Sequence, residues 1–163
     1  MHIPVLLNES IEGLQIKPKE IFVDATINGG GHSEYVAKKY GESVKIIGID
    51  MDEDALEKAK LKLGKVSSNF ILEQSNFRNI NKVLEKHKIK TVNKIFFDLG
   101  LSSRQLEESG RGFSFQKDEP LLMTFKKKIN PDDITAREIV NEWDEGNIKE
   151  ILRGYGEEKF SGR

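Results

Sequence analysis

Three consecutive glycines, Gly29–Gly31, follow an apolar run that ends in an acid at Asp24. Glycine is required where the backbone adopts a positive φ or touches a ligand, and each glycine costs chain entropy, so three together need a reason. One reason is a strand that feeds a turn able to bind a nucleotide-like molecule. A flexible surface loop is the alternative interpretation.

A second acid, Asp50, ends another apolar run about twenty residues beyond the glycines. In a doubly wound sheet the second strand delivers such an acid to the edge where the glycine turn lies, and its carboxylate accepts hydrogen bonds from both ribose hydroxyls. The alternative is a helix N-cap, since a helical stretch begins near Ala55. Both interpretations hold together if Asp52 or Asp54 caps the helix while Asp50 binds the ribose.

Short apolar runs alternate with helical stretches, which predicts a mostly parallel sheet with right-handed crossovers. The predicted strands are 21–24, 45–50, 70–73 and 92–98, and the predicted helices are 33–39, 53–63 and 79–88. Ligands of such sheets lie at the carboxyl ends of the strands, which is where Asp24, Asp50 and Asp98 fall. The predicted fold class is therefore α/β, a doubly wound Rossmann-like sheet.

Two side chains near this edge have two interpretations each. Phe77, just after the third strand, either stacks on an adenine or closes the end of the core. His32, just after the glycines, either donates to a carboxylate of a cofactor or caps the following helix. Nothing around His32 suggests a metal site, and we expect no metal.

The composition limits the class of protein. The chain has 163 residues, 37% of them hydrophobic, a net charge of −1 and no cysteine. This length allows one domain with a core, and the missing cysteines exclude disulfides and thiolate metal sites and fit a cytoplasmic protein. No apolar run is long enough to span a membrane, and no signal-peptide pattern is present. A nucleic-acid partner would have to be held by a local basic patch.

Beyond Asp98 the alternation of strands and helices ends. The segment Gly110–Phe115 interleaves an arginine, two glycines and two phenylalanines. It either lies against nucleic acid, with arginine on phosphate and phenylalanine against bases, or packs its phenylalanines inward as a lid. From Thr135 onward the pattern is helical.

Seven segments in register carry a resemblance to a known family: Pro4–Leu7, Gly29–Ser33, Gly48–Asp50, Asp98–Ser103, Gln105–Leu106, Arg111–Phe115 and Tyr155–Phe160. Together they resemble the bacterial ribosomal RNA small subunit methyltransferase H family, also called MraW. The resemblance implies an enzyme that uses S-adenosylmethionine to methylate the exocyclic amino nitrogen of a cytidine in small-subunit ribosomal RNA. It also implies cofactor contacts at Gly30, Gly31, His32, Asp50, Phe77, Asp98 and Gln105.

Methyl transfer to an exocyclic amine needs the nitrogen in line with the sulfonium methyl and an acceptor for the amine proton. Asp98 is the catalytic candidate because it ends the fourth predicted strand, although the resemblance also counts it as a cofactor contact. The backbone carbonyls of residues 99–102 are the alternative acceptors.

Two departures from the family pattern bear on activity. Residues 120–125 read Pro-Leu-Leu-Met-Thr-Phe where the family usually reads Pro-Leu-Asp-Met-Arg-Met, so an acid and a base are replaced by neutral residues. Family members are also longer, and this chain ends inside what the family pattern marks as an inserted helical domain. We expect residues 1–103 to form a cofactor-binding Rossmann-like half with a truncated sheet, and 104–163 to form part of the helical, RNA-facing insertion. The open sheet edge predicts a homodimer.

Two other functions stay open at this point. A non-catalytic module that binds the cofactor or assists assembly is favoured by the short chain and by Leu122. A nicotinamide-dependent oxidoreductase also uses glycines and an acid, but Asn28–Ser33 lacks the G-x-G-x-x-G spacing of dinucleotide sites. The expected partner is small-subunit ribosomal RNA, with no membrane.

Overall fold

The fold is known from a computed structural model, which describes residues 6–126 and 128–162. Pro4 and Val5, from the first of the family-like segments, lie outside the described residues. The chain forms two compact units, Met1–Ser102 and Ser103–Arg163.

The first unit is an α/β sheet with helices on both faces. Its elements run in the order α1 (Leu7–Gly13), β1 (Ile21–Asp24), α2 (Gly31–Tyr40), β2 (Lys45–Asp50), α3 (Glu53–Leu63), β3 (Phe70–Gln74), α4 (Ile80–Lys86) and β4 (Lys94–Phe96). All neighbouring strands are parallel, in the order β3-β2-β1-β4, so β1 lies between β2 and β4. The predicted α/β doubly wound class is confirmed.

Side chains of successive residues in the strands alternate between two apolar clusters, as the period of a pleated strand requires. Phe22 and Ile46 are fully buried in the larger cluster, which α1, α2 and α3 cover. Val23 and Ile47 are fully buried in the smaller one, against Val83 of α4. The continuous apolar runs in the sequence therefore reflect burial on both faces of a parallel sheet.

The fourth strand is shorter than the predicted range 92–98. Before it, Asn93 accepts from the backbone N–H of Ile21 through its side-chain Oδ1, over 2.8 Å. After it, the backbone N–H of Asp98 donates to the Thr26 hydroxyl over 2.7 Å. The N–H of Asn93 itself still donates to the Ile21 carbonyl over 3.0 Å. The strand pairing proper covers Lys94–Phe96, which lie opposite residues 22–24 of β1.

The β4 strand lies at one edge of the sheet, since among the described residues it pairs with β1 alone. Two apolar side chains there are only half covered: Ile95 is 41% exposed and Phe97 is 45% exposed. This matches the expectation of an open edge with apolar residues beside it.

The second unit is helical, as the pattern after Thr135 predicts. It contains α5 (Ser103–Glu107), α6 (Ala136–Glu142) and α7 (Glu145–Gly154). The Thr135 hydroxyl and the Asp144 carboxylate accept backbone N–H groups in the first turns of α6 and α7, so both helices begin with a side-chain cap. In the part of the chain that the structure describes, no helix has the length and apolar character needed to cross a membrane.

Candidate functional site

The carboxyl ends of β1, β2 and β4 bring three acids to one edge of the sheet. Asp24 is the last residue of β1 and Asp50 the last of β2, while Asp98 follows β4 by two residues. Asp24 is close enough to the other two for their charges to affect its pKa. Since β1 is the strand at which the order of the sheet reverses, this edge is where a doubly wound sheet holds its ligand.

The turn between β1 and α2 is fixed by backbone hydrogen bonds to the neighbouring strands. The N–H of Ala25 donates to the Phe96 carbonyl over 2.9 Å, and the N–H of Ile27 donates to the Ile49 carbonyl over 3.0 Å. The N–H of Gly30 closes the turn on the Ile27 carbonyl over 2.8 Å. These bonds argue against the interpretation of this segment as a flexible surface loop.

The three glycines of this turn have different roles. Gly30 has a φ of +76°, and a Cβ at this position would lie 3.0 Å from both Cα and Cβ of Ala59 in α3. The fold itself therefore requires glycine at position 30. A Cβ on Gly29 would meet nothing within 4 Å, so packing within the described protein does not explain that glycine. Gly31 is the first residue of α2.

The Asp50 carboxylate is held in place by two backbone N–H groups. Oδ2 accepts from Asn28 of the glycine turn over 2.8 Å, and Oδ1 accepts from Asp52 over 2.9 Å. Burial raises the pKa of Asp50, while the N–H groups of Asp52 and Asn28 oppose the rise. Asp52 in turn caps α3, because its Oδ1 accepts the N–H of Asp54 over 3.0 Å. The capping function thus belongs to Asp52 and leaves Asp50 at the sheet edge.

Asp24 is the most perturbed acid of this edge. It is buried, its Oδ2 accepts the Ser33 hydroxyl over 2.7 Å, and its Oδ1 has no hydrogen-bond partner within the described residues. Burial, with a smaller contribution from the charges of Asp50 and Asp98, raises the pKa of Asp24 to about 7, although the hydrogen bonds from Ser33 and Thr26 oppose the rise. The sequence pattern places Asp24 at this edge but gives no role to it or to Ser33. The burial of an acid and its hydrogen bond to a serine nine residues later cannot be recognised from a sequence pattern.

His32 lies beside the end of β4, near Asp98. It is buried in the first turn of α2, with its ring centroid 4.7 Å from that of Phe96 and at 56° to it. Its Nδ1 is 3.9 Å from Oδ2 of Asp98, and its Nε2 has no hydrogen-bond partner in the described part of the chain. The Asp98 side chain is 59% exposed, so its carboxylate is open to solvent. Since Gly30 is the N-cap residue of α2, the expectation that His32 caps this helix is wrong.

Phe77 follows β3 and does not close the core. Its side chain is 41% exposed and meets the ring of Phe97 edge-on, with centroids 5.6 Å apart and planes at 86°. The segment before it is tied to β2, because the N–H of Ser75 donates to the Asp50 carbonyl over 2.8 Å. Phe77 therefore stands at the same edge as Asp50.

Gln105 and the Gly110–Phe115 segment belong to the second unit. Gln105 lies on α5, where its carbonyl accepts the Ser109 hydroxyl over 2.6 Å. Arg111 donates from Nη1 to the Phe125 carbonyl over 2.6 Å, and Phe113 packs near Phe125 at 5.8 Å between ring centroids. The lid interpretation fits Phe113 but is wrong for Phe115, which is 98% exposed.

The first unit offers a polar ligand several unsatisfied groups. Asp24 Oδ1 and His32 Nε2 are buried atoms without a hydrogen-bond partner among the described residues, and buried polar atoms normally have one. Each oxygen of Asp50 accepts one N–H and retains a further lone pair. These groups fit a ligand that carries hydroxyl and amino groups. The described residues include no cluster of three His, Cys, Asp or Glu side chains able to hold a metal ion.

The glycine turn follows β1, an inner strand of a parallel sheet, and the acid Asp50 ends the neighbouring strand β2. This arrangement defines a class of nucleoside-binding α/β proteins. Within that class the chain belongs to the MraW methylase family, whose model matches residues 1–163. The family resemblance predicted from seven sequence segments is confirmed, and family membership gives no support to the oxidoreductase alternative.

Curated relatives match nearly the whole of this chain and share one name. The protein named ribosomal RNA small subunit methyltransferase H of Clostridium botulinum is 46% identical over 160 residues, which cover 98% of this chain and 50% of that protein. The protein of the same name from Brevibacillus brevis is 42% identical over 162 residues, covering 99% of this chain and 51% of the relative. The chain thus spans about half the length of these relatives.

Solved structures that match part of the chain include an RNA methyltransferase from Salinibacter ruber in complex with S-adenosyl-L-homocysteine. It is 15% identical, with a TM-score of 0.44, and the match covers 61% of this chain and 80% of that one. A SAM-dependent methyltransferase from Aquifex aeolicus is 21% identical with a TM-score of 0.43, covering 92% of this chain and 78% of the other.

Proposed function

We propose that this chain binds S-adenosylmethionine and provides the cofactor-binding part of a methyltransferase that acts on small-subunit ribosomal RNA. The observation that carries the proposal is the Asp50 carboxylate, held by the N–H of Asn28 from the glycine turn and by the N–H of Asp52. A carboxylate fixed at the end of the second strand, with one free lone pair on each oxygen, suits the two hydroxyls of a ribose.

The remaining contacts of the proposed site come from the same edge. Gly30, Gly31 and His32 form the start of α2 beside Asp50, and the exposed face of Phe77 suits an adenine ring. Asp24 Oδ1 and His32 Nε2 are acceptor and donor groups available to the polar end of the cofactor. Gln105 is included from the family pattern alone.

S-adenosylmethionine would supply the methyl group on its sulfonium, and the protein must position the target nitrogen and accept its proton. We assign proton acceptance to Asp98, because its carboxylate is solvent-exposed, follows β4 and lies 3.9 Å from His32. Its backbone is fixed by the bond from its N–H to the Thr26 hydroxyl. The carbonyls of residues 99–102 remain the alternative acceptors.

The substrate of the proposed reaction is the exocyclic amino group of a cytidine in small-subunit ribosomal RNA. The relatives' shared name supports the RNA class, and the family resemblance supports the cytidine. A ribosomal RNA substrate also implies the cytoplasm. Leu122, which stands where the family pattern has an acid, favours one alternative: a module that binds the cofactor without turnover.

Calorimetric titration with S-adenosylhomocysteine and S-adenosylmethionine tests the cofactor part of the proposal. We expect binding of both and no binding of NAD. Asp50→Ala should weaken binding by about 1.5–3 kcal/mol, the value of a lost hydrogen bond to a charged group. Glu53→Ala, which removes a nearby exposed acid, serves as the matched control. Unchanged affinity in Asp50→Ala would contradict the ribose assignment, and tight binding of NAD would contradict the proposal as a whole.

Transfer of a labelled methyl group to small-subunit RNA tests the reaction separately. Labelled RNA supports the enzyme, whereas cofactor binding without any transfer supports the non-catalytic module.

A further inference from the structure

Phe97 has no role in the proposed site, yet it makes the one ring contact that the described residues offer Phe77. Their centroids are 5.6 Å apart and their planes at 86°, so the edge of one ring meets the face of the other. This is a favoured geometry for aromatic pairs, because the positive ring edge is attracted to the negative face. Both rings are close to half exposed, and neither belongs to the two buried clusters.

Phe77 has a fixed backbone but little else to fix its ring. Asn76 accepts the N–H of Arg78 through Oδ1 over 2.9 Å, which starts a short 3-10 turn at Phe77. The Nδ2 of Asn76 lies 3.3 Å from Sδ of Met51, the residue after Asp50. These contacts hold the main chain near Asp50, while a side chain that is 41% exposed can still change rotamer unless a neighbour restricts it.

Phe97 can act as that neighbour, because its main chain is fixed on both sides. It lies between Phe96, which is the last residue of β4, and Asp98, whose N–H donates to Thr26. The preceding ring, Phe96, contacts His32 at 4.7 Å between centroids. Two consecutive phenylalanines therefore each contact one residue of the proposed cofactor site.

We infer that Phe97 is a positioning residue for cofactor binding: its ring holds Phe77 in the rotamer that presents a face to the adenine. The inference rests on the proposed function, since it takes Phe77 as the adenine contact. Phe97 acts through Phe77 and does not itself need to touch the ligand.

A double-mutant cycle with S-adenosylhomocysteine as the probe tests the inference. We expect Phe97→Leu to weaken binding about 3- to 10-fold, the range for loss of one aromatic pair. Phe97→Tyr keeps the ring and should bind like the wild type. In a Phe77→Leu background, Phe97→Leu should cause no further loss, because the residue through which it acts is gone.

Ile95→Ala is the matched control, because it removes an apolar side chain of similar exposure two residues before Phe97 and should leave affinity unchanged. A loss in Phe97→Leu that persists at full size in the Phe77→Leu background overturns the inference. So does unchanged affinity in Phe97→Leu.

A measurement on the free protein separates this inference from the proposed function. The NMR signals of the Phe77 ring should carry a ring-current shift from Phe97 that disappears in Phe97→Leu and persists in Ile95→Ala. If the shift behaves in this way but the wild type does not bind S-adenosylhomocysteine, the proposed function fails while the packing role stands. If the shift is absent from the wild type, the inference itself fails.

Discussion

The backbone N–H of Asn28 donates to Oδ2 of Asp50 over 2.8 Å, which ties the glycine turn to the end of the second strand. Asn28 makes this bond with a φ of +48°, a left-handed conformation that asparagine tolerates better than most residues. The two most informative features of the sequence, the glycines and the acid about twenty residues later, are thus physically one site.

Gly30→Ala should destabilise the protein, whereas Gly29→Ala should be close to neutral. Position 30 combines a φ of +76° with a Cβ position 3.0 Å from Ala59, while a Cβ at position 29 meets nothing within 4 Å. We expect a loss of roughly 1–3 kcal/mol for Gly30→Ala, from backbone strain and crowding together. Urea denaturation of the two variants measures it. Equal midpoints for both would show that α3 yields to the added methyl group.

Asp24 should make the protein less stable as the pH rises from 4 to 7. Its pKa is about 7 in the folded state against 3.8 for an ordinary aspartate, so in this range the unfolded state binds fewer protons. Its contribution to stability is therefore full below the lower pKa and lost as the pH passes the higher one.

Asp24→Asn removes this proton linkage and keeps an oxygen to accept the Ser33 hydroxyl. We expect the variant to match the wild type near pH 4 and to be more stable by about 3–5 kcal/mol near pH 8. Urea denaturation across this pH range measures the difference between the two proteins. A difference that does not change with pH would show that Asp24 is ionised throughout.

If the chain transfers methyl groups as proposed, Asp98→Ala should abolish the transfer while leaving the fold intact. The side chain is 59% exposed, so its removal uncovers little, but loss of a proton acceptor typically costs about 10²–10⁴-fold in rate. Asp98→Asn is the matched comparison, because it keeps the shape and cannot accept the proton. Calorimetry separates the two roles of Asp98, since affinity for S-adenosylhomocysteine falls only if Asp98 contacts the cofactor. Near-normal transfer by both variants would show that the acid is structural.

The open edge of β4 should cause self-association. Ile95 and Phe97 are 41% and 45% exposed beside an edge strand, and such edges pair readily with a second copy. We expect a dimer by light scattering and a shift toward monomer in Ile95→Lys. Leu61→Lys, which changes a 69% exposed leucine on α3, should leave the dimer unchanged. A compact wild-type monomer at high concentration would contradict the prediction.

Much of the first unit could be predicted from sequence because its strands are buried on both faces. The bounds of β2 and α3 agree with the predicted ranges 45–50 and 53–63, since an apolar run and a capping acid mark them. The helix α1 could not be predicted, because it is short and its two apolar residues, Leu7 and Ile11, are too few to establish a period.

The contacts of the site were less predictable, because they join residues that are distant in sequence. Gly48 lies in the middle of β2, and a Cβ there would come within 2.2 Å of the Ile27 side chain from the glycine turn. The Asp24–Ser33 and Phe77–Phe97 pairs likewise form only once the sheet brings different loops together. Sequence patterns identify the strand ends but not the pairs that meet there.

The glycine turn is held, before any ligand is bound, by hydrogen bonds that four of its backbone N–H groups donate: those of Ala25, Ile27, Asn28 and Gly30. A turn held in this way loses little conformational entropy on binding, so more of the contact energy remains as affinity. Association then requires no ordering of this segment, and its rate is set by diffusion and by the access route. In the proposed site this turn would therefore be a rigid platform for the cofactor, and release of a bound cofactor would not need the turn to open.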